Sequence, residues 1–283
     1  MLVILFTAAF LPAVSANENP SIVIVDTAID TSANHLKNNI IYEVCIMESS
    51  RCPNNKTVME GAGSASLPIS QVYKNGFEHG TLLASVATQV NPNVNIVFVR
   101  IVPILASGRR GTYTDRTIDM VLDWVYNNKS KFNITAVSIS HGRHNLPTGE
   151  NYCPVRQTLK DNIVKLQSIG VASVFATGND YDYSRVDFPA CVSESVAIGS
   201  VEKSNRIALH SNGGKDLDFY ALGDFATASG RAYGTSAAAA AFSAYWSKVY
   251  QGDHLMTYDY IKSLTKPVEN AKVKSNLFIN ILG

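Results

Sequence analysis

The sequence predicts an α/β protein: a single domain built on a doubly wound, mostly parallel sheet with helices on both faces. Three observations predict it. Continuous β-branched apolar runs recur along the chain, as strands buried on both faces require. Helical patterns lie between several of these runs, which is the alternation of a doubly wound sheet. The chain is also large and apolar enough for one sizeable core, with 283 residues, 46% hydrophobic and 17% charged.

The first strand is expected at Ser21-Ile22-Val23-Ile24-Val25, ending at Asp26, and further strands at residues 94–102, 136–139, 171–176 and 195–198. After Thr114, a plausible N-cap, Ile118, Val121, Leu122 and Val125 share one helical face, and Asp115 sits favourably at the positive end of the dipole. Pro154 is expected to open the next helix, with Val155, Leu159, Ile163 and Leu166 inward and Gly170 closing it. Two polar stretches, residues 45–73 and 106–113, are expected to be surface excursions.

The formal charge of +1 comes from 24 basic and 23 acidic side chains dispersed along the chain, so no basic stripe for nucleic acid is present. The apolar run Leu2 to Val14, followed by the small residues Ser15 and Ala16, predicts a signal peptide over residues 1–16 and a domain over 17–283. That run is shorter than the ~20 residues a membrane span needs, so a monomer, secreted or periplasmic and without an anchor once the signal is removed, is expected. Cys45, Cys52, Cys153 and Cys191 suit such an exported protein and allow three pairings. The short polar loop between Cys45 and Cys52 favours that local pair and leaves Cys153 with Cys191. No CxxC and no histidine at ligand spacing supports a metal site.

In open α/β sheets ligands bind at the carboxyl ends of strands, which draws attention to polar residues that end apolar runs. Asp26 ends the first run, and Asn179 follows another through a Thr177-Gly178 turn. His79 precedes the apolar stretch Leu82 to Ala87, and Ser236 leads into Ala237 to Ala241. Singly, these residues read as caps and turn residues. Together they supply what acyl transfer needs: a weak hydroxyl nucleophile, an imidazole to accept its proton, a carboxylate to fix the imidazole tautomer, and amide donors for a tetrahedral oxyanion. A dinucleotide site on the same sheet class is excluded, because no GxGxxG follows the first strand.

Asp26-Thr27-Ala28-Ile29-Asp30, His79-Gly80-Thr81-Leu82-Leu83-Ala84 and Gly234-Thr235-Ser236-Ala237-Ala238 resemble the aspartate, histidine and serine motifs of the subtilisin-like serine peptidases, in that family's order. Phe98-Val99-Arg100-Ile101, Ser138-Ile139-Ser140-His141-Gly142, Ala176-Thr177-Gly178-Asn179 and Phe188-Pro189-Ala190-Cys191 resemble further family segments, so the similarity covers most of residues 21–250. The resemblance implies a serine endopeptidase that works through an acyl-enzyme, with Asp26, His79 and Ser236 as the triad and Asn179 in the oxyanion hole. It further implies an extended polypeptide substrate held as a strand between Ser140-His141-Gly142 and Gly111-Thr112-Tyr113, with Arg109 and Arg110 at the rim. His141 is expected either to narrow the pocket for the residue preceding the scissile bond or to face solvent. The chemistry requires no cofactor; relatives often bind structural calcium, which spacing leaves unassigned here.

The chain departs from the family pattern at Ala28, usually glycine, at Ala237, usually methionine, and at Ala240, usually proline. Ala28 requires φ below zero in the turn after Asp26, and the loss of proline should give a more regular helix after Ser236. Only residues 17–26 run from the expected cleavage point to Asp26 at the end of the first strand, where many secreted relatives carry a folding pro-segment. That spacing underlies the alternative reading, a noncatalytic peptide-binding module on the same fold.

Overall fold

The computed structural model describes residues 19–144, 149, 152–154 and 156–282, so the expected signal peptide and Val155 lie outside the described residues. Strand β1 is Ser21–Asp26, with every residue buried, as its unbroken apolar run requires. The other strands are β2 Ile40–Ile46, β3 Val58–Glu60, β4 Asn95–Arg100, β5 Ile134–Ile139, β6 Ala172–Ala176, β7 Val196–Val201, β8 Phe219–Leu222, β9 Asp224–Thr227, β10 Gly230–Tyr233, β11 Lys266–Glu269 and β12 Lys274–Phe278. The main helices are α2 His79–Val90, α3 Asp115–Phe132, α4 Gln157–Gln167, α5 Thr235–Lys248 and α6 His254–Ser263, after a single turn, α1, at Ile69–Val72.

Ten strands form one sheet in the order β11-β12-β8-β7-β6-β5-β1-β4-β2-β3, and β9 and β10 pair separately. The strands from β2 across to β12 run parallel, and antiparallel β3 and β11 close the two edges. The order reverses at β1, which pairs with β4 on one side and β5 on the other. Such a switch point opens a crevice at the carboxyl end of the strand, and Asp26 is the residue that stands there.

Strands β1 and β4 to β8 each feed two cores. Ile22 and Ile24 pack with Leu83, Val86, Phe242 and Trp246 of α2 and α5, whereas Val23 and Val25 pack with Ile118, Val121, Leu122, Ile163 and Leu166 of α3 and α4. The period-two alternation of β1 is therefore spent on two apolar faces, which is why no polar alternation shows in its sequence. In α5, Ala237 to Ala241 are all fully buried. Their small side chains let the helix lie close to the sheet and to α2, and added methylenes there would cost about 1–3 kcal/mol by overpacking. The helix runs unbroken for 14 residues, in keeping with Ala240 in place of proline. Thr114 caps α3, its hydroxyl accepting from the Thr117 N–H at 3.2 Å.

Two expectations are corrected. Helix α4 starts at Gln157, not at Pro154. Arg156 is held extended by its ion pairs to Asp119 at 2.9 Å and Asp115 at 3.5 Å, while Cys153 is tied to Cys191, so the chain reaches the helix late. Residues 45–73 are not wholly a surface excursion, since Cys45, Met47, Cys52, Ser64, Ala65 and Val72 are buried. Glu43, itself in β2, accepts from the backbone N–H groups of Gly63, Ala65 and Ser66 at 2.9–3.1 Å and pins that loop to the sheet. The second disulfide, Cys45–Cys52, fastens the same loop.

Candidate active site

Asp26 is fully buried at the end of β1. Both of its oxygens face His79 Nδ1, at 2.8 and 2.9 Å, and Oδ1 also accepts from the Thr27 N–H at 2.7 Å. Burial opposes its charge, but the charges of His79 and His141, with the hydrogen bonds from His79 and Thr27, overcome that and hold the carboxyl well below the ordinary range. His79 is the first residue of α2, with its side chain one-third exposed. Burial lowers its tendency to protonate, and the charge and hydrogen bond of Asp26 outweigh this, so its pKa lies above the usual histidine value.

Thr27 fixes how these two groups meet. Its Oγ1 donates to the Phe77 carbonyl at 2.8 Å and accepts from the Gly80 N–H at 3.0 Å, tying the strand end to the first turn of α2. A Cβ on Gly80 would lie 2.4 Å from the Phe98 ring and 2.5 Å from the Ala28 carbonyl oxygen. Only glycine lets the residue after His79 pack this closely. Ala28 is buried and is not among the described residues with positive φ, as its side chain requires.

Ser236 is the second residue of α5, and its N–H belongs to the unsatisfied first turn of that helix. It lines a cavity of about 240 Å³ together with Ser140, Gly142, Gly178, Asn179 and Thr235. Ser140 and Gly142 flank His141, whose Nε2 lies 3.5 Å from Asp26 Oδ2, so this cavity adjoins the Asp26–His79 pair. Among the described residues no hydrogen bond joins Ser236 Oγ to His79, a contact that is often loose until substrate is bound. Asn179 Oδ1 accepts from Thr235 N at 3.0 Å and Thr235 Oγ1 at 3.3 Å. These donors orient the amide so that its NH₂ remains the group available to an oxyanion.

A larger cavity of about 600 Å³ lies beside the first, lined by Arg109, Arg110, Gly111, Thr112, Tyr113 and His141 among others. The two segments expected to flank an extended chain therefore border one groove, and the Tyr113 hydroxyl donates to the Gly142 carbonyl at 3.5 Å across its end. His141 lines the larger cavity and not the one beside Ser236. Its ring lies 4.9 Å from that of Tyr113, its side chain is 15% exposed, and burial pushes its pKa below the usual value against the pull of Asp26. The backbone direction after β5, which places Ser140 and Gly142 on the smaller cavity, turns the intervening side chain towards Asp26.

Sequence reading missed the roles of Thr27 and Thr235, although each lies inside a quoted motif. It also missed His144, Asp180 and Asp187, which converge from two loops, the one after β5 and the one between β6 and β7. Among the described residues these three form a group whose potential ligand atoms lie within 4.8 Å of one another.

The subtilase family model matches residues 17–276. Subtilisin E of Bacillus subtilis is 29% identical over 172 residues, covering 57% of this chain and 41% of that protein. The minor extracellular protease Epr of the same organism is 25% identical over 215 residues, 71% of this chain and 31% of the relative. The chain thus spans less than half the length of these curated relatives. Among solved structures, a protease from Pseudoalteromonas arctica superimposes with a TM-score of 0.71 at 19% identity, over 94% of this chain and 88% of the other. A cold-adapted subtilisin-like serine proteinase gives 0.66 at 21% identity, over 95% and 92%. With the family match running through nearly the whole chain and the same architecture found in solved relatives, the chain belongs to the subtilase family.

Proposed function

We propose that the protein is an exported serine endopeptidase, with residues 1–16 as its signal peptide, that hydrolyses an extended polypeptide through an acyl-enzyme. The observation that carries the reading is the buried Asp26–His79 pair, 2.8 Å apart, beside a cavity lined by both Ser236 and Asn179. His79 Nε2 takes the Ser236 proton as Oγ attacks the scissile carbonyl, and Asp26 holds the Nδ1–H tautomer and stabilises the imidazolium. The Asn179 NH₂ and the Ser236 N–H stabilise the oxyanion; His79 then protonates the leaving amine, and water releases the acyl group by the same route. His141, kept neutral by burial, adds a second imidazole beside Asp26 without competing for the proton in transfer. No described helix is long and apolar enough to cross a membrane.

The test is steady-state hydrolysis of fluorogenic peptides across pH. Only neutral His79 can act as base, and its pKa is raised. Activity is therefore lost as pH falls through that raised value and is full above it, placing the acid limb above the ordinary histidine range. A maximum at strongly acidic pH would contradict the role of His79.

Arg109 and Arg110 are exposed on the larger cavity, while Arg143 is paired with Asp115 at 2.6 Å. Acidic residues on the amino-terminal side of the scissile bond are thus favoured, and Arg109→Ala with Arg110→Ala should weaken that preference about tenfold. An unchanged substrate profile would remove it. Ala237, fully buried next to Ser236, offers no thioether to oxidise. Activity should survive peroxide, measured as residual hydrolysis after exposure; rapid inactivation would count against this.

A further inference from the structure

The cavity beside Ser236 contains two carboxylates, Asp180 and Asp187, and no lysine or arginine. Asp187 follows the loop that passes beneath the oxyanion turn, its N–H donating to the Thr177 carbonyl at 2.8 Å, and its side chain is 10% exposed. A Cβ on Gly178, whose φ is +102°, would lie 2.4 Å from Asp187 Oδ2, and one on Gly142 would lie 3.7 Å from the same oxygen. The carboxylate therefore sits between the two backbone walls of the cavity. Both walls are glycine where they approach it.

Hydrogen bonds hold only one edge of that carboxylate. His144 Nδ1 and Asn212 Nδ2 each reach Oδ1 at 2.9 Å, and among the described residues none is made to Oδ2. Burial pushes the Asp187 carboxyl up to about 6; the His144 hydrogen bond opposes this and the nearby Asp180 charge reinforces it. A carboxylate disfavoured by burial and by a like charge is one that a cation would stabilise. A second observation points to an occupant: Ser236 and Asn179 line the same cavity, so a peptide engaged by them has its side chain beside Asp187.

We propose that this cavity takes the side chain of the residue immediately before the scissile bond, and that the residue is lysine or arginine, bound by Asp187 with Asp180 at the mouth. The assignment rests on the peptidase reading. Ser236 and Asn179 would engage the carbonyl of that residue, so its side chain is the one delivered into the cavity they line. The aliphatic stem lies between the Gly142 and Gly178 backbones, and the cation meets the open oxygen of Asp187. Selection of a basic side chain here and of acidic side chains in the larger cavity acts on different substrate residues.

The test uses the full chain carrying Ser236→Ala, titrated calorimetrically in EDTA with peptides identical except for a carboxyl-terminal Lys, Leu or Glu. The Lys peptide should bind on the order of a hundredfold more tightly than the Leu peptide, and Asp187→Asn should remove most of that ratio. The parent's kcat/KM for matched substrates should follow the same order. Because Asp187 also anchors His144 and Asn212, the Lys-to-Leu ratio of the unsubstituted pocket decides even where Asp187→Asn fails to fold. Equal or tighter binding of Leu overturns the proposal, as does loss of the Lys preference when calcium is added, which would assign His144, Asp180 and Asp187 to a metal. A Lys preference in binding with no hydrolysis by the parent would uphold the pocket and refute the peptidase reading.

Discussion

Ser236→Ala should lower kcat for peptide hydrolysis by a factor on the order of 10⁶ with little change in KM, because the substitution removes the only atom that forms the acyl bond. The rest of the site stays in place. Ser236 is 9% exposed at the start of an alanine-rich helix whose next residues are already alanine, so the variant should fold as the parent does. Residual activity should remain above the uncatalysed rate, since Asn179 keeps its orientation from Thr235. Rates on one fluorogenic peptide, with a thermal melt for each protein, check both halves. A loss of only a few-fold would mean that another group supplies the nucleophile.

The second large effect concerns Asp26. Asp26→Asn preserves the shape of a fully buried side chain but replaces an acceptor by an amide that must present its NH₂ or its single oxygen to His79. The carboxylate meets His79 with both oxygens, at 2.8 and 2.9 Å, and has His141 at 3.5 Å on its other side. The amide cannot satisfy this arrangement, and His79 loses the partner that fixes its tautomer and raises its pKa. A fall of about 10⁴ in kcat is expected. With the charge gone, the acid limb of the pH profile should also move down, because burial, the largest influence on His79, lowers its pKa once Asp26 no longer opposes it. Steady-state rates across pH measure both. An unmoved acid limb would show that Asp26 does not set the protonation of His79.

What could be read from the sequence divides along physical lines. β1 was legible because a strand covered on both faces leaves an unbroken β-branched run, and α3 because Thr114 and the spacing of Ile118, Val121, Leu122 and Val125 carry the period of a helix. β2 was hidden because its buried Glu43 reads as surface until its three backbone N–H partners are seen. The start of α4 was misplaced because a disulfide and the ion pairs of Arg156 override a proline signal. The candidate site shows the same contrast. Asp26, His79, Asn179 and Ser236 each lie in a short motif with its own local grammar, whereas Asp187 and His144 meet only through the tertiary path of two loops. Nothing in the local sequence marks either one.

The most direct test of the central claim is covalent. The purified protein and its Ser236→Ala variant are treated with a fluorophosphonate and weighed intact. The account predicts one adduct on the parent, none on the variant, and labelling that falls as acid protonates His79. A folded, disulfide-bonded parent that takes no label would contradict it and leave a peptide-binding module on a subtilase fold.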